Sequence, residues 1–78
     1  MRFEHDPQAD AIYITLRDVP YAFGEDLDVA HRVDYGPDQR PRGVELLSVS
    51  RGVDLTGLPG RDAVERLLAE HRIPVLAR

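Results

Sequence analysis

The sequence predicts an α+β domain, a four-stranded antiparallel β-meander followed by one C-terminal α-helix. Three observations predict it. Over the first fifty positions, short apolar runs alternate with period two between turn residues. From about Arg61 the apolar period becomes that of a helix. The chain of 78 residues has room for one domain. That domain divides into a sheet at 1–50, a connection at 51–60, a helix at 61–72 and a tail at 73–78.

Arg2 to His5 reads as a short first strand. Asp6-Pro7-Gln8-Ala9-Asp10 is turn chemistry, because proline fixes its own φ and an aspartate can accept a backbone N–H two residues on. Ala11 to Leu16 alternates, with Ile12, Ile14 and Leu16 on one face and Ala11, Tyr13 and Thr15 on the other. The close spacing of these two runs predicts an antiparallel hairpin. Arg17 to Asp28 reads as a loop that enters a strand only near Leu27, since Pro20 and Gly24 interrupt it and Glu25, Asp26 and Asp28 make it acidic.

Ala30 to Tyr35 is the third expected strand, with His31, Val33 and Tyr35 opposite Arg32 and Asp34. Gly36 to Gly43 ("GPDQRPRG") is a turn, and Val44 to Val49 the fourth strand. There Val44 and Leu46 share one face and Glu45, Leu47 and Val49 the other. In the helix, Val64, Leu67, Leu68 and His71 form one stripe, with Asp62 and Glu65 in the first turns as the helix dipole favours. Pro74 stops it, because the residue before a proline is pushed out of the α region. The following Val75-Leu76-Ala77 pairs as a short edge strand or packs as a tail.

One helix covers one face of such a sheet. The other face then shows Tyr13, Leu47 and Val49, an apolar patch of the kind that marks a contact surface. A chain this short buries only ~60% of its unfolded surface. With no cysteine it has no disulfide and no thiolate zinc site to compensate. Self-association is the available remedy, and a homodimer through the open face is expected. Exchange of the C-terminal helix between subunits is a variant of the same idea.

The formal net charge is −4, which disfavours unaided binding to nucleic acid, since phosphate neutralisation dominates such binding. DNA binding needs a basic face assembled from the arginines of two subunits. All ten basic residues are arginine, scattered without a run. That usage fits a GC-rich coding sequence, and also fits selection for heat-resistant guanidinium pairs. No apolar run reaches the ~20 residues of a membrane helix. No export signal is visible near the amino end, so a cytoplasmic location is expected.

Taken in order, Phe3, Asp6, Asp10 and Tyr13, then Val33-Asp34-Tyr35, then Gly43-Val44-Glu45-Leu46-Leu47 and Ser50 resemble the pattern of the domain-of-unknown-function 2283 family. The resemblance covers about residues 1–50 and implies a small β-rich prokaryotic domain with no established activity. Some members of that family resemble antitoxin components, being encoded beside small toxin-like proteins.

The residues able to form a polar constellation are Asp6, Asp10, Asp34 and Glu45, with His5 and His31. Two or three converging carboxylates would hold a hard divalent cation, or one would raise the pKa of another and act as acid or base. Against that, Asp-x-x-x-Asp matches no calcium loop, and no spaced histidine pair suits zinc. The simpler reading makes Asp6 the closer of an Asx turn, Asp10 a loop cap or arginine partner, and Glu45 half of a cross-strand pair with Arg32. Ser48 and Ser50 lack a nucleophile elbow, and Gly36 to Gly43 lacks the Lys-Ser/Thr of a phosphate loop. His71, at a helix end, reads as an ordinary cap or a surface residue rather than a ligand. Tyr13, Tyr21, Phe23 and Tyr35 could stack bases, but the acidic balance argues against it.

The leading expectation is a non-enzymatic homodimeric protein-interaction module, antitoxin-like in its most concrete form, with an acidic loop (Glu25, Asp26, Asp28) that complements a small basic partner. The alternative is a small metal-binding protein or enzyme using Asp6, Asp10, Asp34 and Glu45. No cofactor is implied, and a metal is left open.

Overall fold

The structure, a computed structural model, describes residues 1–76. It contains five strands: β1 (Arg2–Asp6), β2 (Ala11–Thr15), β3 (Phe23–Asp28), β4 (His31–Tyr35) and β5 (Pro41–Leu47). A single 3-10 turn (Val49–Arg51) and one helix, α1 (Arg61–Glu70), follow. The sheet is antiparallel with spatial order β1-β2-β5-β4-β3.

The α+β class with one C-terminal helix holds, but the sheet has five strands rather than four. Nor is it one continuous meander, for β2 pairs with β5 and not with the strand that follows it. A β1–β2 hairpin is laid against a β3–β4–β5 meander. The added strand, β3, lies in what reads as a loop. It is an edge strand that pairs only with β4. Its glycine and acidic side chains hide it, since an edge needs no apolar alternation and tolerates charge. A register shift between Asp26 and Asp28 further breaks the period at Leu27.

The fifth strand begins earlier than the sequence suggests. Pro41 opens it, a position where the missing N–H is tolerated. Arg17 secures the preceding turn: its guanidinium donates to both Asp38 carboxylate oxygens at 2.9 and 3.0 Å and to the carbonyls of Arg40 and Pro41. That hydrogen-bonded guanidinium, with the Arg40 N–H, pulls the Asp38 carboxyl down to about 2. The strand ends at Leu47, where Ser48 adopts a left-handed φ of 56°. This reversal swings Val49 into the core, where it is 3% exposed. Val49 is therefore not part of an open-face contact surface.

The core lies on one side of the sheet. Ile12, Ile14, Val33, Val44 and Leu46 face Val49 of the 3-10 turn, Val53, Leu55 and Leu58 of the connection and Val64 and Leu68 of α1. The expected parity of β2, β4 and β5 is thus correct. The connection, which looks like a mere tether, supplies as much of the cover as the helix. Val53 and Val75 form an isolated parallel bridge, with the Val53 N–H on the Pro74 carbonyl and the Leu76 N–H on the Val53 carbonyl. The expected edge pairing of the tail is limited to this bridge, and Ala77 and Arg78 lie outside the described residues.

α1 stops at Glu70, short of the expected residue 72, because Arg72 turns left-handed at φ 58°. His71, on the predicted stripe, stacks on the Phe3 ring with centroids 3.8 Å apart, tying the helix end to β1. No helix among the described residues is long and apolar enough to cross a membrane.

Candidate interaction face

Register fixes what stands beside what on the uncovered side of the sheet. One row runs Glu4, Tyr13, Glu45, Arg32, Asp26; the next runs Arg2, Thr15, Gly43, Asp34, Gly24. The two glycines make a shallow floor. A Cβ built on Gly43 would meet the Tyr13 hydroxyl, and the ring carbon bearing it at 2.7 Å. One built on Gly24 would lie 2.6 Å from the Arg32 guanidinium carbon and 2.7 Å from an Asp34 carboxylate oxygen. Tyr13 and Arg32 therefore lie flat across the sheet because their neighbours have no side chains.

A register shift between Asp34 and Tyr35 leaves Arg42 as the extra residue of a bulge. Its carbonyl accepts from the Leu16 and Arg17 N–H groups at 2.7 and 3.1 Å. Its guanidinium donates to the Val19 carbonyl at 2.8 Å and to the Tyr13 hydroxyl at 2.9 Å. Tyr13 in turn donates to Asp34 at 2.8 Å. Arg32 reaches Asp34 at 3.2 Å, Asp26 at 3.0 Å and the Tyr21 hydroxyl at 3.3 Å. The result is one continuous chain, Val19–Arg42–Tyr13–Asp34–Arg32–Asp26.

Burial pushes the Tyr13 phenol up to about 12, reinforced by its hydrogen bond to Asp34 and by that carboxylate's charge, and offset in part by Arg42. A phenol so held is a poor nucleophile or base near neutrality. In the unfolded chain the phenol loses its proton near 10, and in the folded chain near 12. The stabilisation is present below pH 10 and is lost as pH rises through 12. The gap in urea midpoint between the unmodified chain and Tyr13→Phe is expected to narrow over that interval. A gap of constant size across it would contradict this assignment.

The four carboxylates singled out from sequence do not share one cluster. Asp6 accepts from the Gln8 and Ala9 N–H groups at 3.0 and 3.2 Å, the Asx turn expected of it. Asp10, in the left-handed region at φ 54°, accepts from the Ser50 N–H and hydroxyl at 2.9 and 2.7 Å. It binds the start of the 3-10 turn rather than its own loop, an arginine or Glu45. Asp34 belongs to the Tyr13–Arg32 chain. Glu45 sits directly opposite Arg32, as expected, but no Glu45–Arg32 ion pair forms. The guanidinium is drawn instead to Asp26, Asp34 and Tyr21.

Glu45 thus stands in the middle of the face with no hydrogen bond or ion pair to any described residue. It lies between a groove of about 410 Å³, lined by Glu4, Asp6, Tyr13 and Leu47 among others, and a smaller one lined by Asp26, His31 and Leu47. His5 lies edge-on to Phe3, and His31 Nδ1 is 2.7 Å from Asp28 Oδ1. Among the described residues no three His, Cys, Asp or Glu side chains group as a metal site.

Arg42 is a part of the face to which the sequence pointed in no way, and Tyr21 and Gly24, expected in a loop, belong to the face as well. The available signal was weak: glycine in a strand marks a bulge or a close approach of side chain to backbone.

The family model described as "Protein of unknown function (DUF2283)" matches residues 2–50, more than half of the chain. The chain belongs to the DUF2283 family. Comparison with curated proteins and with solved structures gives no match. Several residues that carry the DUF2283 resemblance bind one another, and Phe3 reaches outside the matched segment to α1's end. Asp10 holds Ser50, Tyr13 lies over Gly43 and donates to Asp34, and Phe3 stacks on His71. Among the polar residues of that set, Glu45 alone keeps its side chain unengaged within the described residues.

Proposed function

We propose that this DUF2283 chain is a non-enzymatic protein-interaction module. It pairs with a second copy through the uncovered sheet face and meets a small basic protein through its acidic side, in an antitoxin-like manner. The observation that supports this most is the continuous hydrogen-bond chain on the open face. It fixes Tyr13, Asp34, Arg32 and Arg42 against each other, and leaves Glu45 presented between Tyr13 and Arg32, with the 40%-exposed Leu47 next along β5 on the same face. Such a surface is pre-organised for contact, which lowers the ordering cost of association. Its charges are mixed, with Arg2, Arg32 and Arg42 beside Glu4, Asp26, Asp34 and Glu45. A second copy of a net-acidic chain can complement a mixed face, as it cannot a uniformly acidic one.

Sedimentation velocity on Leu47→Glu and Glu45→Lys tests the dimer. Each is expected to weaken self-association by about tenfold or more while leaving the secondary-structure signal unchanged. Unaltered association in both would place the contact elsewhere.

A further inference from the structure

We propose that the β3 edge is a docking strand, to which an extended, basic segment of a partner protein adds as a sixth strand. This rests on the reading of the chain as a module for a basic partner, and it assigns that partner a place and a binding mode. β3 ends the sheet, so its outer backbone groups face no strand. An extended segment satisfies them by main-chain hydrogen bonds and gains specificity from alternate side chains.

Large apolar and acidic side chains crowd that edge. Tyr21, Phe23, Leu27 and Val29 are large apolar groups that are 53%, 43%, 42% and 95% exposed. These are four of the seven exposed large apolar residues among the described positions, gathered along one edge and its hairpin tip. Between them stand Glu25, Asp26 and Asp28, and no basic residue occurs within β3. Phe23 and Glu25 lie opposite Tyr35 and Val33, on the side that continues the core layer. Asp26 already holds Arg32, and Asp28 holds His31 and the Ala30 N–H. Glu25 holds nothing among the described residues. The edge therefore offers an apolar position next to a free carboxylate, and a strand alternating apolar and basic residues complements it.

A second copy fits this edge poorly. Two β3 strands would set three acids against three acids, and like charges directly opposed are destabilising. The other free edge, β1, carries one arginine and His5 against Glu4 and Asp6, so it brings no net positive charge at neutral pH. Acidic residues on an edge also discourage pairing between copies. That protection excludes the chain itself and selects for an oppositely charged strand.

The test uses the full chain, isotopically labelled, with three synthetic peptides. One alternates arginine and valine. The second has glutamate in place of arginine. The third is the arginine–valine peptide with a central proline, which cannot donate to the ladder. At low salt the first peptide is expected to bind about tenfold more tightly than either other, and to slow amide exchange within residues 23–28. The Glu25→Lys variant is expected to lose most of that preference. Equal binding of the first and third peptides, with protection on the sheet face, overturns strand addition and leaves the basic-partner reading standing. Failure of both arginine peptides to bind overturns both.

Discussion

Replacing Gly43 by valine is expected to cost about 1–3 kcal/mol of folding stability from overpacking alone, and more once the Tyr13 hydrogen bonds are counted. Gly43 is buried in β5, and the space a side chain needs is filled by the Tyr13 hydroxyl and the adjoining ring carbons at 2.7 and 3.0 Å. The ring cannot step aside freely, because Arg42 and Asp34 hold its hydroxyl from two directions. For a domain whose whole stability is of order 0.05–0.15 kcal/mol per residue, this is a large fraction.

Urea unfolding checks the cost, and a double-mutant cycle checks the cause. If the clash is with Tyr13, then Gly43→Val should be much less harmful in a Tyr13→Ala background. Additive effects would show that the strain lies elsewhere. Gly24→Ala provides a contrast. There the crowding atoms are the far end of the flexible Arg32 side chain and an Asp34 oxygen, so the expected loss is smaller.

Leu55→Ala is expected to destabilise by about 2–5 kcal/mol, the range for deleting a fully buried leucine side chain. Leu55 is 1% exposed and packs with the sheet and α1, although it lies between strand and helix in a segment rich in glycine. The segment 53–58 is thus a layer of the core. Chemical denaturation of Leu55→Ala beside Leu68→Ala measures this directly. Comparable losses are expected for the two, and a loss at Leu55 no larger than that of an exposed position would return the segment to the status of a tether.

The difference between what was legible in the sequence and what was not follows from range. Facing is a local property, so the alternation Ile12–Ile14, Arg32–Asp34 and Val44–Leu46 could be read off the chain, as could the Asx turn at Asp6 and the helix stripe. Neighbour choice is not local. The pairing of β2 with β5 skips two strands, and the Asp10–Ser50 bonds join residues forty apart.

Backbone reversals were equally silent. Nothing in "LLSVSR" announces that Ser48 turns left-handed, yet that one φ moves Val49 from the open face to the core. The Arg32–Glu45 pairing shows the same limit at the level of side chains. Register placed the two groups opposite each other, but Asp26 and Asp34 compete for the guanidinium and win it with two shorter arms. That competition is what leaves Glu45 on the face without a partner.

The claim on which the functional account turns is that the uncovered face is a contact surface for a second copy. Sedimentation equilibrium of the unmodified chain over a wide concentration range measures this most directly. The expected result is a mass approaching twice the 8.8 kDa of one chain, falling toward 8.8 kDa on dilution. A mass of 8.8 kDa at every concentration would contradict it.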